Sequence, residues 1–173
     1  DDEKMKRYRP EWTDEQVIFR GPPELYTTSG SHFGLRFLFD GEGCLFYSIG
    51  ERGLMQNSQD LSNPLGKIHR VNDDGSAPKD NPFAGKPGAV PSIWSYGHRN
   101  PQGLAIHPAT GQLFDAEHGP RGGDELNLVE KGKNYGWPVI TYGMEYDGRA
   151  ITDNPRRDGM EQPLTYWVPS IAP

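Results

Sequence analysis

The sequence contains a single cysteine and no long apolar run, and these two absences limit what the chain can be. With Cys44 alone, no internal disulfide forms and a zinc site built from several sulfur ligands is excluded. No apolar run approaches the roughly 18 residues of a membrane-spanning helix. Residues 1–12 are charged and lack the apolar centre of a signal peptide, which predicts either a cytosolic protein or a missing leader.

Runs of Lys and Arg are absent as well. The chain has 18 basic and 24 acidic residues, which gives a formal net charge of -6. Proteins that bind nucleic acid by its backbone carry a clustered basic surface. The sequence therefore predicts no nucleic-acid partner.

Amphipathic helices are the third missing feature. The apolar runs are short, aromatic or β-branched, and Gly, at 22 residues, and Pro, at 16, separate them. This pattern is typical of strands and turns, and it predicts an all-β fold. The predicted strands are residues 16–19, 35–39, 44–49, 66–71, 92–96, 103–106, 112–116, 125–129, 139–142 and 164–167.

Two segments, residues 34–53 and 103–123, resemble each other as strand, Gly turn, strand and glycine-rich exit. A recurring hairpin with long polar insertions is typical of β-propeller blades, which bury their faces against each other. About ten strands, at four per blade, make roughly three blades, and a closed propeller needs at least four. We therefore expect residues 1–173 to be the central part of a single β-propeller domain in a longer chain.

His32 directly precedes the first strand of the earlier repeat, where its side chain would emerge at one end of a sheet. Imidazole is the side chain whose ordinary pKa lies nearest neutrality, so His32 is a candidate general base. A structural histidine bonded to a neighbouring carbonyl is the alternative.

Arg99 and Asn100 follow a predicted strand, and Pro101 restrains Asn100 to extended geometry. The paired N–H donors of a guanidinium match the oxygens of a planar ligand rich in carbonyl or carboxylate groups. The two residues are therefore a candidate binding element. The alternative is a structural arginine bonded to loop carbonyls.

Three acids, Glu117, Asp124 and Glu125, lie around a Gly-Pro unit after the later repeat. Calcium takes oxygen ligands from carboxylates and main-chain carbonyls alike, and irregular loops supply both. This loop is a candidate calcium site, with a cluster of salt bridges as the alternative. The nearby Tyr135 offers one further main-chain carbonyl.

Six segments carry a family resemblance: HFGLRFLFD, GERG, SQDLSNPLGKIHRVNDDGSAPKDNPF, SYGHRNPQGLAIHP, EHGPRGGDELNL and KGKNYGWP. Together they resemble the soluble quinoprotein sugar dehydrogenases, the glucose/sorbosone dehydrogenase family that includes the aldose sugar dehydrogenases. The resemblance covers about residues 17–167. It implies a six-bladed β-propeller that holds pyrroloquinoline quinone (PQQ) and Ca²⁺ and oxidises the C1 hydroxyl of aldose sugars to lactones.

The resemblance also implies residue roles. His32 matches the base that takes the hydroxyl proton while hydride leaves C1 for the quinone. The family's cofactor contacts match Arg99, Asn100, Gln102 and Tyr146, of which Gln102 is the weaker match. The main-chain carbonyls that hold the cofactor calcium match those of Gly119 and Pro120. A structural calcium site matches Glu125 and the carbonyl of Tyr135. The resemblance also implies a periplasmic or secreted location. An external electron acceptor and a homodimer are the expected partners.

The chain departs from the family in three ways. Ser31 stands where some glucose-oxidising members carry a sugar-binding acid, which favours a broad aldose range. His118 replaces a glutamine of that branch, as it does in the aldose branch. The basic residues that pair with the PQQ carboxylates have no counterpart before Pro173, so the isolated chain is expected to be inactive. A propeller segment that only binds or scaffolds, and a calcium-dependent lactonase, are the rival functions.

Overall fold

The computed structural model describes residues 13–25 and 28–173, so the charged segment 1–12 lies outside the described residues. Within these ranges the regular elements are strands and two short 3-10 helices, and no helix there has the length and apolar character to cross a membrane. The strands are β1 (Gly34–Phe39), β2 (Leu45–Ile49), β3 (Lys67–Val71), β4 (Ile93–Tyr96), β5 (Pro101–Ile106), β6 (Leu113–Glu117), β7 (Asp124–Val129) and β8 (Thr165–Trp167); the 3-10 helices are Pro23–Leu25 and Met55–Ser58.

The strands form two antiparallel sheets of four, ordered β1-β2-β3-β4 and β5-β6-β7-β8. Each sheet follows the chain order, so neighbouring strands are joined by hairpins or by the longer polar connections. The hairpins β1-β2 and β5-β6 are the two copies of the predicted repeat. The all-β prediction is confirmed, and each repeat contributes the first half of one sheet.

Two of the predicted strands are wrong. Residues 16–19 pair with no strand among the described residues; instead Ile18 packs on the core of the first sheet and the Phe19 ring lies 5.6 Å from that of Tyr47. Residues 139–142 lie in a turn, in which the Ile140 N–H donates to the Gly136 carbonyl. The described residues therefore form two four-stranded, blade-like sheets rather than roughly three.

The hydrophobic core lies between the two sheets. Phe46 and Ile68 of the first sheet meet Leu113 and Val129 of the second, and all four are buried. Strand β2 also buries Leu45 and Tyr47 on its opposite face. Burial on both faces explains why Leu45, Phe46 and Tyr47 are apolar in succession rather than alternating with polar residues.

The same packing places four chain segments at one end of both sheets. In the antiparallel registers, Gly34 at the start of β1 pairs with Ile49, and Pro101 at the start of β5 pairs with Glu117. The residues before β1 and β5 and those after β2 and β6 therefore meet at this end.

Candidate functional site

A cavity of about 950 Å³ opens at this end of the two sheets. Its walls come from the loops before β1 and β5, from the connection between β6 and β7, and from the segments around residues 144–146 and 168–172. All the residues predicted for catalysis or cofactor contact line it, namely His32, Arg99, Asn100, Gln102, Gly119, Pro120 and Tyr146. The fold thus brings these residues together, and their binding roles stay predictions.

His32 forms a hydrogen-bonded pair with a buried acid. Its Nδ1 contacts Oε1 of Glu51, whose side chain is 1% exposed, while the imidazole is 18% exposed. An Nδ1–H that donates to this carboxylate leaves Nε2 as the nitrogen with a free lone pair. In this arrangement the hydrogen bond at Nδ1 orients the ring, and Nε2 is free to accept a proton.

Sequence reasoning missed Glu51. It lies directly after β2, in the GERG exit of the earlier repeat. Its backbone N–H donates to the Arg99 carbonyl at 2.9 Å, which joins the histidine loop to the arginine turn. The sequence does show an acid that follows an apolar strand and a glycine. It does not show that this acid contacts His32, which lies 19 residues earlier in the chain.

His32 has a φ of 54°, a left-handed conformation that is uncommon for a non-glycine residue. The loop that holds it packs against the backbone of Gly50, where an added Cβ would collide with the His32 carbonyl. Gly50 is therefore required at this position by the close approach of two backbones.

Replacing Gly50 by alanine is expected to lower the free energy of unfolding by about 1 to 3 kcal/mol, because the extra methyl forces the His32 loop away. Urea titration measures the change. Gly41→Ala is the matched control, since no atom lies within 4 Å of a Cβ built there. Equal stabilities for the two variants would contradict the predicted collision.

Arg99 and Asn100 are both buried where the cavity meets β5. Arg99 Nη1 donates to the carbonyls of His118 at 3.1 Å and Gly119 at 2.7 Å. Its Nε is buried and, among the described residues, has no hydrogen-bond partner. The Oδ1 of Asn100 accepts the backbone N–H of Gly34 at 2.9 Å. The arginine thus has the predicted structural bonds to loop carbonyls and keeps one donor unused.

The residues predicted to bind metal fall into two places. Gly119 and Pro120 line the large cavity, whereas Glu125 and Tyr135 line a small internal cavity, which Gly119 borders as well. Burial, followed by the charge of Glu117, raises the pKa of Glu125 to about 8. A cation beside this carboxyl would relieve both effects.

Behind the cavity wall lies a buried cluster of His98, Asp115 and Glu117. One ligand atom from each lies within 4.8 Å of the others, and His98 Nδ1 is 3.1 Å from Glu117 and 3.5 Å from Asp115. Burial opposes the protonation of His98, but Glu117 and Asp115 outweigh it and raise the pKa of the imidazole to about 9. The pKa of Asp115 is raised to about 7, first by burial and then by Glu117.

Asp124, predicted as a calcium ligand or a salt-bridge partner, has another role. Its Oδ1 accepts the Gly119 N–H at 2.9 Å, and its Oδ2 accepts Ser170 Oγ at 2.6 Å and the N–H groups of Ile171 and Ala172 at 2.7 and 2.9 Å. Burial would raise its pKa, but these donors outweigh burial and lower it. Asp124 therefore ties two walls of the cavity together.

Two four-stranded antiparallel sheets with a large cavity at one end define an all-β protein with an open site, and comparisons identify its family. Residues 2–173 match the family model described as Glucose / Sorbosone dehydrogenase. The chain is 49% identical over 162 residues to aldose sugar dehydrogenase YliI of Escherichia coli K12, and this alignment covers 92% of this chain and 43% of that protein. It is also 39% identical over 145 residues to quinoprotein glucose dehydrogenase B of Acinetobacter calcoaceticus, covering 73% and 30%. The chain belongs to the glucose/sorbosone dehydrogenase family.

Solved structures give the same result. The apo form of the soluble aldose sugar dehydrogenase of Escherichia coli matches with a TM-score of 0.84 and 47% identity over 90% of this chain and 45% of that one. The PQQ-bound aldose sugar dehydrogenase of Streptomyces coelicolor matches with a TM-score of 0.63 and 36% identity over 79% and 36%. The chain spans less than half the length of each of these relatives.

Proposed function

We propose that the protein is a PQQ- and calcium-dependent dehydrogenase that oxidises the C1 hydroxyl of aldose sugars to lactones. The observation that carries this proposal is the His32–Glu51 pair in the same cavity as Arg99, a base and a cation around one space. Family membership supports the reaction class, and the name of the Streptomyces coelicolor structure states that it binds PQQ.

The cavity fits a flat, oxygen-rich cofactor. Its volume of about 950 Å³ admits a molecule of that size, and the unused Arg99 Nε is an unsatisfied donor in its wall. Arg99 and Asn100 would hold the quinone oxygens, with Gln102 and Tyr146 further along the wall. When bound, PQQ supplies a two-electron acceptor for hydride.

His32 would supply the proton chemistry. Its Nε2 takes the proton of the C1 hydroxyl, and Glu51 stabilises the imidazolium that forms and keeps the ring oriented. Arg99 would stabilise negative charge that develops on the bound cofactor. The hydroxyl proton would thus end on His32, and the bound cofactor would supply the acceptor for the hydride that leaves C1.

Calcium would be held by carbonyls and one acid. The Gly119 carbonyl accepts one hydrogen bond from Arg99, and a carbonyl has two lone pairs, so one remains for an ion beside Pro120. Glu125 and the Tyr135 carbonyl would hold a second, structural ion at the internal cavity. A calcium ion next to the cofactor acts as a Lewis acid.

The wider assembly belongs to the same proposal. A six-bladed propeller, of which residues 1–173 form a central part, would supply the remaining walls, and the relatives' greater length supports this. An external acceptor would reoxidise the cofactor in a periplasmic or secreted protein, with a homodimer as the assembly. No nucleic acid takes part.

Reconstitution tests the function. The full-length protein is titrated with PQQ in the presence of Ca²⁺, and reduction of a dye is followed with glucose and other aldoses. We expect a cofactor absorbance change that needs calcium, followed by sugar-dependent reduction. If neither the absorbance change nor dye reduction is observed, the result favours the non-catalytic scaffold. Hydrolysis of a lactone with calcium alone would indicate the lactonase.

A further inference from the structure

Glu117 accepts four hydrogen bonds from N–H donors. Its Oε2 accepts the backbone N–H groups of Arg99 at 2.7 Å and Asn100 at 3.3 Å. Its Oε1 lies 3.1 Å from His98 Nδ1 and accepts Asn127 Nδ2 at 3.2 Å. The carboxylate is buried, and these donors occupy the acceptor sites of both oxygens.

The turn formed by residues 98–101 is bonded on every side. Each of its four carbonyls accepts a hydrogen bond: His98 from Ser58 Oγ at 2.6 Å, Arg99 from Glu51 N at 2.9 Å, Asn100 from His118 N at 3.3 Å and Pro101 from Ser48 Oγ at 2.9 Å. The consecutive N–H groups of Arg99 and Asn100 both find their acceptor in Glu117. Buried backbone donors are costly to leave unpaired, so the path of this turn depends on that side chain.

We propose that Glu117 is a positioning residue for the cofactor: by accepting two consecutive backbone N–H groups, it fixes the turn from which Arg99 and Asn100 reach the cavity. The inference rests on the proposed binding of PQQ. Glu117 lines the internal cavity behind the wall and is not among the residues of the large cavity, so it acts through its neighbours.

Substitutions at position 117 can distinguish a role in positioning from an effect of the side chain's charge or of its size. A glutamine at position 117 has nearly the same shape, and its carbonyl oxygen can accept both backbone N–H groups. Its NH2 group would face His98 and Asn127, and the Asn127 amide can turn its unpaired Oδ1 toward it. A methionine has a similar length but no strong acceptor. A role in positioning predicts that glutamine rescues and methionine does not.

The experiment compares PQQ affinity, with calcium present, among the full-length wild type, Glu117→Gln and Glu117→Met. We expect the dissociation constant of Glu117→Gln to stay within about fivefold of the wild type and that of Glu117→Met to rise by about tenfold or more. If Glu117→Met does not fold, Glu117→Asp replaces it, since a shortened side chain keeps the charge but withdraws the acceptor; it is expected to behave as Glu117→Met.

Asp115→Asn is the matched control. Asp115 is buried in the same cluster and on the same strand, and it faces His98 without contacting the backbone of Arg99 or Asn100. We expect its PQQ affinity to stay within about twofold of the wild type. A loss equal to that of Glu117→Met would show that any disturbance of the cluster weakens binding, which overturns the specific role.

Amide hydrogen exchange gives a readout without cofactor. The Arg99 and Asn100 amides should be protected in the wild type and in Glu117→Gln, and should exchange faster in Glu117→Met. Unprotected amides in the wild type, wild-type affinity in Glu117→Met, or equal losses in both variants would each overturn the proposal. Failure of the wild type to bind PQQ would instead refute the proposed function, and the amide result would still be decided.

Discussion

Replacing His32 by glutamine is expected to lower kcat for sugar-dependent dye reduction by about 100- to 10,000-fold, the range that a positioned base contributes. Glutamine retains a side chain of comparable size but has no nitrogen that accepts a proton near neutral pH. The affinity for PQQ should change little, because the proposed contacts to the quinone come from Arg99 and Asn100. Steady-state kinetics with aldoses, together with a PQQ titration, measure the two effects separately.

His107→Gln is the matched control for this substitution. His107 follows β5 at the opposite end of the sheet, where its Nδ1 accepts the N–H groups of Ala109 and Thr110 at 3.3 Å. The control should turn over sugar at the wild-type rate. Turnover by His32→Gln close to that of His107→Gln would remove the histidine from the reaction, and a scaffold or another base would then have to be considered.

The sheets could be predicted because their signals are local. The paired apolar residues of β2 and β6 and the glycines around them mark two hairpins, and both hairpins form. Residues 16–19 misled for the same reason: their side chains are apolar, but they are buried by packing on the first sheet rather than by pairing in it. An apolar segment is expected to be buried, but whether its backbone pairs in a sheet depends on the rest of the fold.

The site was predictable only in part. The residues of the large cavity lie in motifs that can be compared with a family, and the fold places them around one space. Glu51 had no assigned role, and Glu117 and Asp124 were interpreted as calcium or salt-bridge acids, because each carboxylate acts on groups that tertiary structure brings to it. A sequence shows that an acid is present, but not which backbone donors will surround it.

The case of Arg99 shows how two interpretations of one residue can both hold. Two loop carbonyls fix its Nη1, as expected for a structural arginine, and the residue also lines the large cavity, as the proposed contact to the cofactor requires. Fixing one end of a guanidinium lowers the entropy lost when the other end binds. The structural bonds of Arg99 would therefore favour its proposed role in binding the cofactor.

Replacing Asp124 by alanine is expected to lower the free energy of unfolding by about 1.5 to 3 kcal/mol, because hydrogen bonds to a charged acceptor contribute about that much and the donors at the exposed residues 170–172 can bond to water instead. Four donors lose their acceptor: the N–H groups of Gly119, Ile171 and Ala172, and the Ser170 hydroxyl. The Gly119 turn and the segment at residues 170–172 both line the large cavity, so its walls should separate. Urea unfolding at pH 7 measures the stability.

The pH dependence gives a second check on Asp124. Its pKa is lowered in the folded protein from the usual 3.8, so its stabilising effect is present above that value and is lost as the pH falls through the folded pKa. The stability difference between wild type and Asp124→Ala should therefore be constant above about pH 5 and shrink in stronger acid.

Asp115→Asn is the control for the Asp124 substitution. Asp115 is equally buried, but its oxygens have no hydrogen-bond partner among the described residues and its pKa is raised. Substitution there should cost little or even stabilise at pH 7, and an equal loss at both positions would show that burial of the acid, rather than its four donors, sets the effect.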